Sequence, residues 1–380
     1  MPRAIIVRYG ELALKSEPVR RRFEHILIRS MKRTLSGLNY SIRSERGRIF
    51  VDTNSTATAV KRLAQVPGIT SLSPSVWVKA NMPDIRVQAL KIAKKELKPG
   101  MTFAVRTNRV GKHPFSSRDV NVDLGSSILP IMKNLKVNLS TPEVTISIEI
   151  RGENAYVFAN TVEGVGGLPV GTQGKVVAIL SSNVNDVVAA FMMLKRGCAV
   201  FLLFLNSQNN LNGRISKRAV SSAKKLVGFG SSNVLWSFPF KEILATLRKK
   251  SSDRAAFYIC RRCELRAAEI VAKRVGAEAI VIGDDARLIA TQLLANLSAT
   301  DEACKLAVLR PLSGMSEDDI RRSSEKMGVK FSTGFSPPCP TPAGEIISVE
   351  ELKTLEKEIK IDTVIDCASK GLKKINKVNK

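Results

Sequence analysis

Residues 180–197 read LSSNVNDVVAAFMMLKRG: an apolar strand closing at Leu180, a small polar loop, then an amphipathic run. A loop placed between a strand and a helix is where many folds hold a phosphate, because the helix N-terminus presents unpaired N–H groups and positive potential. The pattern repeats along the second half of the chain. KVVAIL, CAVFLLFL, VLWSFPF, AEAIVIGD and KLAVLRPL are near-continuous apolar strands. Helical runs separate them, from Val187 to Lys195, around SKRAVSSAKKLVGF, from Cys263 to Val275 and at ARLIATQLLANL. This alternation predicts a doubly wound parallel sheet covered on both faces, in which ligands bind at the carboxyl ends of the strands.

The first half reads differently. AIIVRYGELALK is a short strand followed by a charged turn, and EPVRRRFEHILIRSMKRTL is an amphipathic helix. Phe23, Ile26, Leu27, Met31 and Leu35 recur at helical spacing toward a core, while Arg20, Arg21, Arg22, Arg29, Lys32 and Arg33 lie largely elsewhere. A hairpin in YSIRSERGRIFVDT and a second helix in TATAVKRLAQVPGI complete a small ferredoxin-like α+β unit. From Ser71 a second α+β unit begins. Its strand TFAVRTNR places Arg106 and Arg109 near the end, Lys112 and His113 follow in a loop, and a helix runs from about Arg118 to Leu129, stopped by Pro130. VTISIEIR and NAYVFANT alternate as a hairpin around Gly152. Three domains follow: 1–72, 73–168 and, after the glycine-rich connector VGGLPVGTQGK, 169–380.

Composition narrows the partner. With 60 Lys and Arg against 34 Asp and Glu, the net charge is +26. Such a field favours a polyanion, most commonly nucleic acid, whose phosphates supply sequence-independent affinity. Only 5% of residues are aromatic, which favours a folded or duplex RNA read by shape and phosphates over a single strand stacked on rings. No run approaches the roughly 20 apolar residues of a membrane span, so the expectation is no membrane and a cytoplasmic location. Six scattered cysteines argue against a secreted disulfide framework, and Cys198 reads as core.

The sequence resembles the tRNA 4-thiouridine synthetase (tRNA sulfurtransferase, thiamine thiazole-linked) family over essentially its whole length. The resemblance rests on IIVRYGELALK, GITSLSP, TFAVRTNRVGKHPF, PEVTISIEIR, GVGGLPVGTQGKVVAILS, AAFMMLKRG, CRRCELRAAEIVAKRVGAEAIVIGD, Gln292, VLRPLSGM and the cysteine of SPPCPTP. It implies an N-terminal ferredoxin-like domain, a THUMP domain that with it grips the tRNA acceptor stem and CCA end, and a PP-loop pyrophosphatase domain. By this resemblance Arg22, Lys32, Arg106, Arg109, Lys112 and Arg118 serve RNA, and Cys339, Asp186 and Cys260 serve catalysis. Ser181, Ser182, Asn183, Asn185, Gly283 and Gln292 would hold ATP, with Mg2+. The implied reaction adenylates the carbonyl oxygen of uridine 8; sulfur from a separate persulfide or sulfide donor then displaces AMP. A homodimer is implied as well.

This chain departs from the family pattern at the loop. SGGxDS becomes SSNVND, so both glycines are gone and Asn185 stands where the family has aspartate. The TGES-like segment reads IGDDAR, adding Asp284 and Asp285, two carboxylates that would repel ATP unless a metal intervenes. Ser316 and Glu317 stand where an acidic residue and a lysine are usual. Cys260 matches the second cysteine of a family CxxC pair whose first position is Phe257, and Cys263 makes a shifted pair at the start of a helix, where the dipole and arginines would lower its thiol pKa. With Cys339 these thiols either serve a redox or iron–sulfur role or are incidental. Two readings of the whole follow: an active tRNA thiolation enzyme, or a tRNA-binding homologue whose altered loop has lost ATP chemistry.

Overall fold

The computed structural model describes residues 3–45, 47–180, 183–207, 217–251, 253–286, 294–329, 346–376 and 378. The chain divides into two compact units, Met1–Gly167 and Leu168–Lys380.

In the first unit, β1 (Arg3–Arg8), α1 (Glu17–Thr34), β2 (Ser41–Glu45), β3 (Arg48–Asp52), α2 (Thr56–Leu63) and β4 (Ser71–Lys79) follow the ferredoxin-like alternation. Then come α3 (Met82–Glu96), β5 (Thr102–Val110), α4 (Ser117–Ile128), β6 (Lys136–Val137), β7 (Val144–Arg151), β8 (Asn154–Phe158) and β9 (Val162–Glu163). All nine strands share one sheet of order β2-β3-β1-β4-β8-β7-β5-β6, with β9 added to β4. The strand β4 joins the two halves: Arg3–Arg8 pair along one side of it, while Val76–Lys79 pair with β8 on the other. Pro74, which has no N–H to donate, lies opposite Ile5 in the gap between the β9 and β8 pairings, where a missing donor breaks no ladder bond on that side.

Helix α1 buries Phe23, Leu27 and Met31, as its spacing dictates, and Leu35 at its C-cap is buried too. Ile26 is only half-buried. The helices α3 and α4 pack Ile85, Ala89, Val120 and Leu124 with Phe103, Ile146 and Ile148 of the sheet in one apolar cluster. Helix α4 opens on a capping box between Ser116 and Asp119 and gives way to a short 3-10 turn, Leu129–Ile131, at the proline expected to stop it.

The second unit contains β10 (Lys175–Leu180), α5 (Val184–Arg196), β11 (Ala199–Asn206), α6 (Lys217–Gly228), β12 (Leu235–Pro239), α7 (Lys241–Lys250), α8 (Asp253–Val275), β13 (Ala279–Val281), β14 (Ala307–Leu309) and β15 (Lys373–Ile375). Further helices lie at Leu294–Asp301, Glu317–Lys326, Val349–Glu358 and Ile361–Lys370. The sheet order is β14-β13-β10-β11-β12-β15. Its neighbours pair in parallel except β12 with β15. Strand order therefore reverses at β10, which lies between β11 and β13, and the crevice beyond the carboxyl ends of β10 and β13 is the topological switch point where ligands bind in such folds.

Two boundaries differ from those read in the sequence. Helix α5 starts at Val184, three residues before Val187, because the Asn183 side chain caps it by accepting from the Asn185 N–H at 3.1 Å. Helix α8 starts at Asp253, so Cys263 lies well inside it and not at its start. Gly197 ends α5 in the left-handed conformation, φ 97°. A Cβ there would stand 2.6 Å from Thr172 Oγ1 and 2.9 Å from Leu168 Cβ, because the glycine-rich connector folds back and donates three N–H groups, from Gly171, Thr172 and Gln173, to the Gly197 carbonyl.

Candidate functional site

The segment after β13 closes on the first turn of α5. Gly283 makes this approach possible: a Cβ there would stand 2.7 Å from the Asp186 backbone nitrogen and 2.8 Å from the Asn185 carbonyl carbon. Two residues on, Asp285 accepts a hydrogen bond of 3.1 Å from the Asn185 side-chain amide. Both partners are buried, Asn185 at 7% and Asp285 at 5% exposure. Asp186, half-buried in the first turn, places a carboxylate beside the positive end of the helix. Thus Asn183, Asn185, Asp186 and Gly283 come together at the switch point. Ser181, Ser182, Gln292 and Cys339 lie outside the described residues.

Behind this contact lies a network that sequence reading missed. Arg261 of α8 donates from Nη1 to Glu264 Oε2 at 2.7 Å and also pairs with Asp284. Arg310, just after β14, reaches Asp284 with Nε at 3.2 Å and grips both oxygens of Asp301 at 2.7 and 2.6 Å. The Asp284 charge is therefore held between two guanidiniums and does not stand bare before a phosphate, the repulsion expected from the sequence alone. Burial pushes the Glu264 carboxyl up to about 7, against the Arg261 charge, and the carboxylates of Asp284 and Asp186 push the same way. The Arg261–Glu264 spacing of three on one helix was the sequence signal that could have revealed the pair.

Ser316, the position where the family pattern has an acidic residue, is an N-cap. Its hydroxyl and the Asp319 carboxylate form a capping box that starts the helix Glu317–Lys326, so the local exchange serves helix initiation.

The thiols depart from expectation. Cys263 is fully buried, and burial raises its pKa, whereas a helix start and flanking arginines had suggested the reverse. Cys260 is disulfide-bonded, while Cys198, Cys263, Cys304 and Cys367 are free. Cys198 is buried, as a core residue should be. No group of three or more His, Cys, Asp or Glu residues among the described residues is arranged to hold a metal ion. A bonded Cys260 beside a protonated, inaccessible Cys263 does not suit iron–sulfur ligation, which takes thiolates. Magnesium makes a smaller demand: one or two carboxylates with the remaining positions taken by substrate phosphates and water.

In the first unit, the candidate RNA residues lie on β5, the loop after it, α4 and α1. Arg106 is exposed and donates to the Leu139 carbonyl at 3.2 Å, and Arg109 donates to the Gly111 carbonyl at 3.0 Å. Lys112, Arg118, Arg22 and Lys32 are exposed. His113 Nε2 lies 2.7 Å from the Gly152 carbonyl, tying the Lys112 loop to the β7–β8 hairpin. Elsewhere on the same sheet, Glu149 is buried and gathers Arg8, Arg48 and Arg151 within 3.4, 2.8 and 2.9 Å.

Family models match along the chain: the ThiI ferredoxin-like domain at residues 4–73, the THUMP domain at 79–160 and the thiamine biosynthesis protein ThiI at 171–346. A probable tRNA sulfurtransferase of Methanocaldococcus jannaschii is 33% identical over 94% of this chain and 97% of its own length. One of Methanosarcina acetivorans is 31% identical over 98% and 93%. Among solved structures, a 4-thiouridine synthetase in complex with RNA and bound ATP superposes with a TM-score of 0.84 at 26% identity, covering 99% of each chain. No helix among the described residues is long and apolar enough to cross a membrane. With the identity sustained over nearly the full length of both chains, this protein belongs to the tRNA sulfurtransferase family.

Proposed function

We propose that this protein is an ATP-dependent tRNA sulfurtransferase that makes 4-thiouridine. The observation that carries the reading is the closure of the Gly283–Asp285 segment on the α5 N-terminus at the switch point, in a chain whose fold matches an RNA- and ATP-bound synthetase end to end. The N–H groups at the start of α5 would receive the phosphates, and Asp186 and Asp285 would be the side chains to hold a Mg2+ ion there. When bound, that ion neutralises charge on the departing pyrophosphate. The uridine carbonyl oxygen attacks the α-phosphorus of ATP and pyrophosphate leaves; sulfide then attacks the activated carbon and AMP departs, or the terminal sulfur of a persulfide does so and a second thiol then breaks the S–S bond, taking the carrier sulfur as a disulfide and freeing the thiolated uridine. The exposed basic residues Arg22, Lys32, Arg106, Lys112 and Arg118 would take the acceptor-stem phosphates, and Arg109, fixed to the Gly111 carbonyl, would shape their loop. Cys339 is the proposed acceptor of a sulfane sulfur from a separate persulfide donor, which leaves as its thiol; where the source is sulfide, it attacks the activated uridine directly and no cysteine carrier is required.

The test incubates the full chain with unmodified tRNA, Mg-ATP and sulfide and follows the near-ultraviolet absorbance of 4-thiouridine. Appearance of the band, dependent on ATP, is the expected result. Retained tRNA binding with no AMP release and no thiolation would instead establish the lapsed homologue.

A further inference from the structure

We propose that Arg8 and Arg48, gathered with Arg151 on Glu149 in the first unit, form a seat for a backbone phosphate of the bound tRNA. The proposal rests on the tRNA reading above and adds a contact that lies outside the exposed basic residues named there. Register creates the cluster. Strands β1 and β3 run antiparallel with Val7 opposite Ile49, so the next pair along sets Arg8 opposite Arg48, two like charges where such a pairing is unfavourable. Glu149 reaches both from β7, with Oε2 3.4 Å from Arg8 Nη2 and Oε1 2.8 Å from Arg48 Nε. Arg151 holds the same carboxylate, donating from Nε and Nη2 to Oε1 at 3.0 and 2.9 Å.

One carboxylate thus meets three guanidiniums, largely out of water. The Glu149 side chain is 4% exposed, whereas Arg8 and Arg48 keep 20% and 23%, an edge that a ligand can reach. Burial lowers the Arg8 pKa, and the Arg48 and Arg151 charges push the same way against Glu149. Cations withdrawn from water in this way gain from an added anion. Donors remain to bind it, since a guanidinium carries five N–H groups. Arg8 donates to Ser73 Oγ at 2.8 Å and to Glu149. Arg48 donates to the Gly47 carbonyl at 2.7 Å, and its buried Nε, although close to Glu149, makes no hydrogen bond. The planar fork that is left suits two oxygens of a phosphate. The seat also adjoins a candidate RNA residue. Arg106 is exposed and stands in register with Ser147 of β7, two residues from Glu149 and so on the same side of the sheet. A phosphate backbone on that side can touch Arg106 and the cluster in turn.

The test measures tRNA binding to the wild type and to Arg48→Gln across a range of salt, with thermal melting of the free proteins beside it. Arg48→Gln should weaken binding and lower the slope of log K against log salt by about one. The free variant should melt no lower than the wild type, because one of three crowded like charges is gone and Glu149 keeps Arg8 and Arg151. The slope decides between a ligand and a brace. A cluster that only ties the strands together predicts an unchanged slope, and that result overturns the proposal whatever happens to melting. If Arg48→Gln does not fold, phenylglyoxal labelling of the wild type decides. Modification of Arg48 in the free protein and its protection in the tRNA complex support the seat, and equal modification in both overturns it. A wild type that binds no tRNA would overturn the tRNA reading itself, a result distinct from either.

Discussion

Gly283 lies against Asp186 so closely that a Cβ at position 283 would stand 2.7 Å from the Asp186 backbone nitrogen. The neighbour is the first turn of a helix and cannot swing away as a flexible side chain would. Gly283→Ala should therefore push the post-β13 segment off α5, at a cost of about 1–3 kcal/mol, the range for overpacking a close-packed contact. Thermal melting and Mg-ATP affinity should fall together, and a variant that melts and binds as the wild type would show the approach to be slack.

Stability should carry a pH signature from Glu264. Burial, helped by Asp284 and Asp186 and opposed by Arg261, raises its carboxyl from 4.5 to about 7. The native state thus holds this proton more tightly than the unfolded chain does. The contribution is complete below about 4.5 and is lost as pH rises through about 7. Glu264→Gln should flatten the decline of stability between those values when denaturant unfolding is followed from pH 5 to 8. A parallel decline in the variant would assign the effect to other groups.

Thiol labelling should separate two cysteines of the second unit. Cys263 is buried with its pKa raised, whereas Cys367 is exposed. Under native conditions near neutral pH, iodoacetamide should modify Cys367 and spare Cys263, because alkylation needs an accessible thiolate. Mass spectrometry of the digested protein reads the outcome, and rapid native labelling of Cys263 would contradict its burial.

Binding of tRNA should weaken steeply with salt, since the net charge is +26 and the candidate contacts are to phosphates. Arg22→Ala and Arg118→Ala, at exposed positions on α1 and α4, should each reduce the slope of log K against log salt by about one, with little change in thermal stability. An unchanged slope for either would remove that residue from the interface.

Much of the fold was legible because burial follows periodicity. The apolar runs KVVAIL and CAVFLLFL are strands buried on both faces and could only pair inside a parallel sheet, and Phe23, Leu27 and Met31 mark the core side of α1 at helical spacing. The amide at 185 and the acids at 284 and 285 were equally visible as residues, yet their meaning was not. A hundred positions separate Asn185 from Asp285, and nothing local signals that they touch.

The sequence by itself determined the strands, most of the helices, the basic charge and the family likeness, since each depends on residue type and short-range spacing. Tertiary structure decided what the altered loop amounts to. Strand order reverses at β10, which brings the ends of β10 and β13 side by side, and only there does Asp285 meet Asn185 while Arg261 and Arg310 neutralise Asp284. Electrostatic roles depend on distance and burial, and neither can be read from order along the chain.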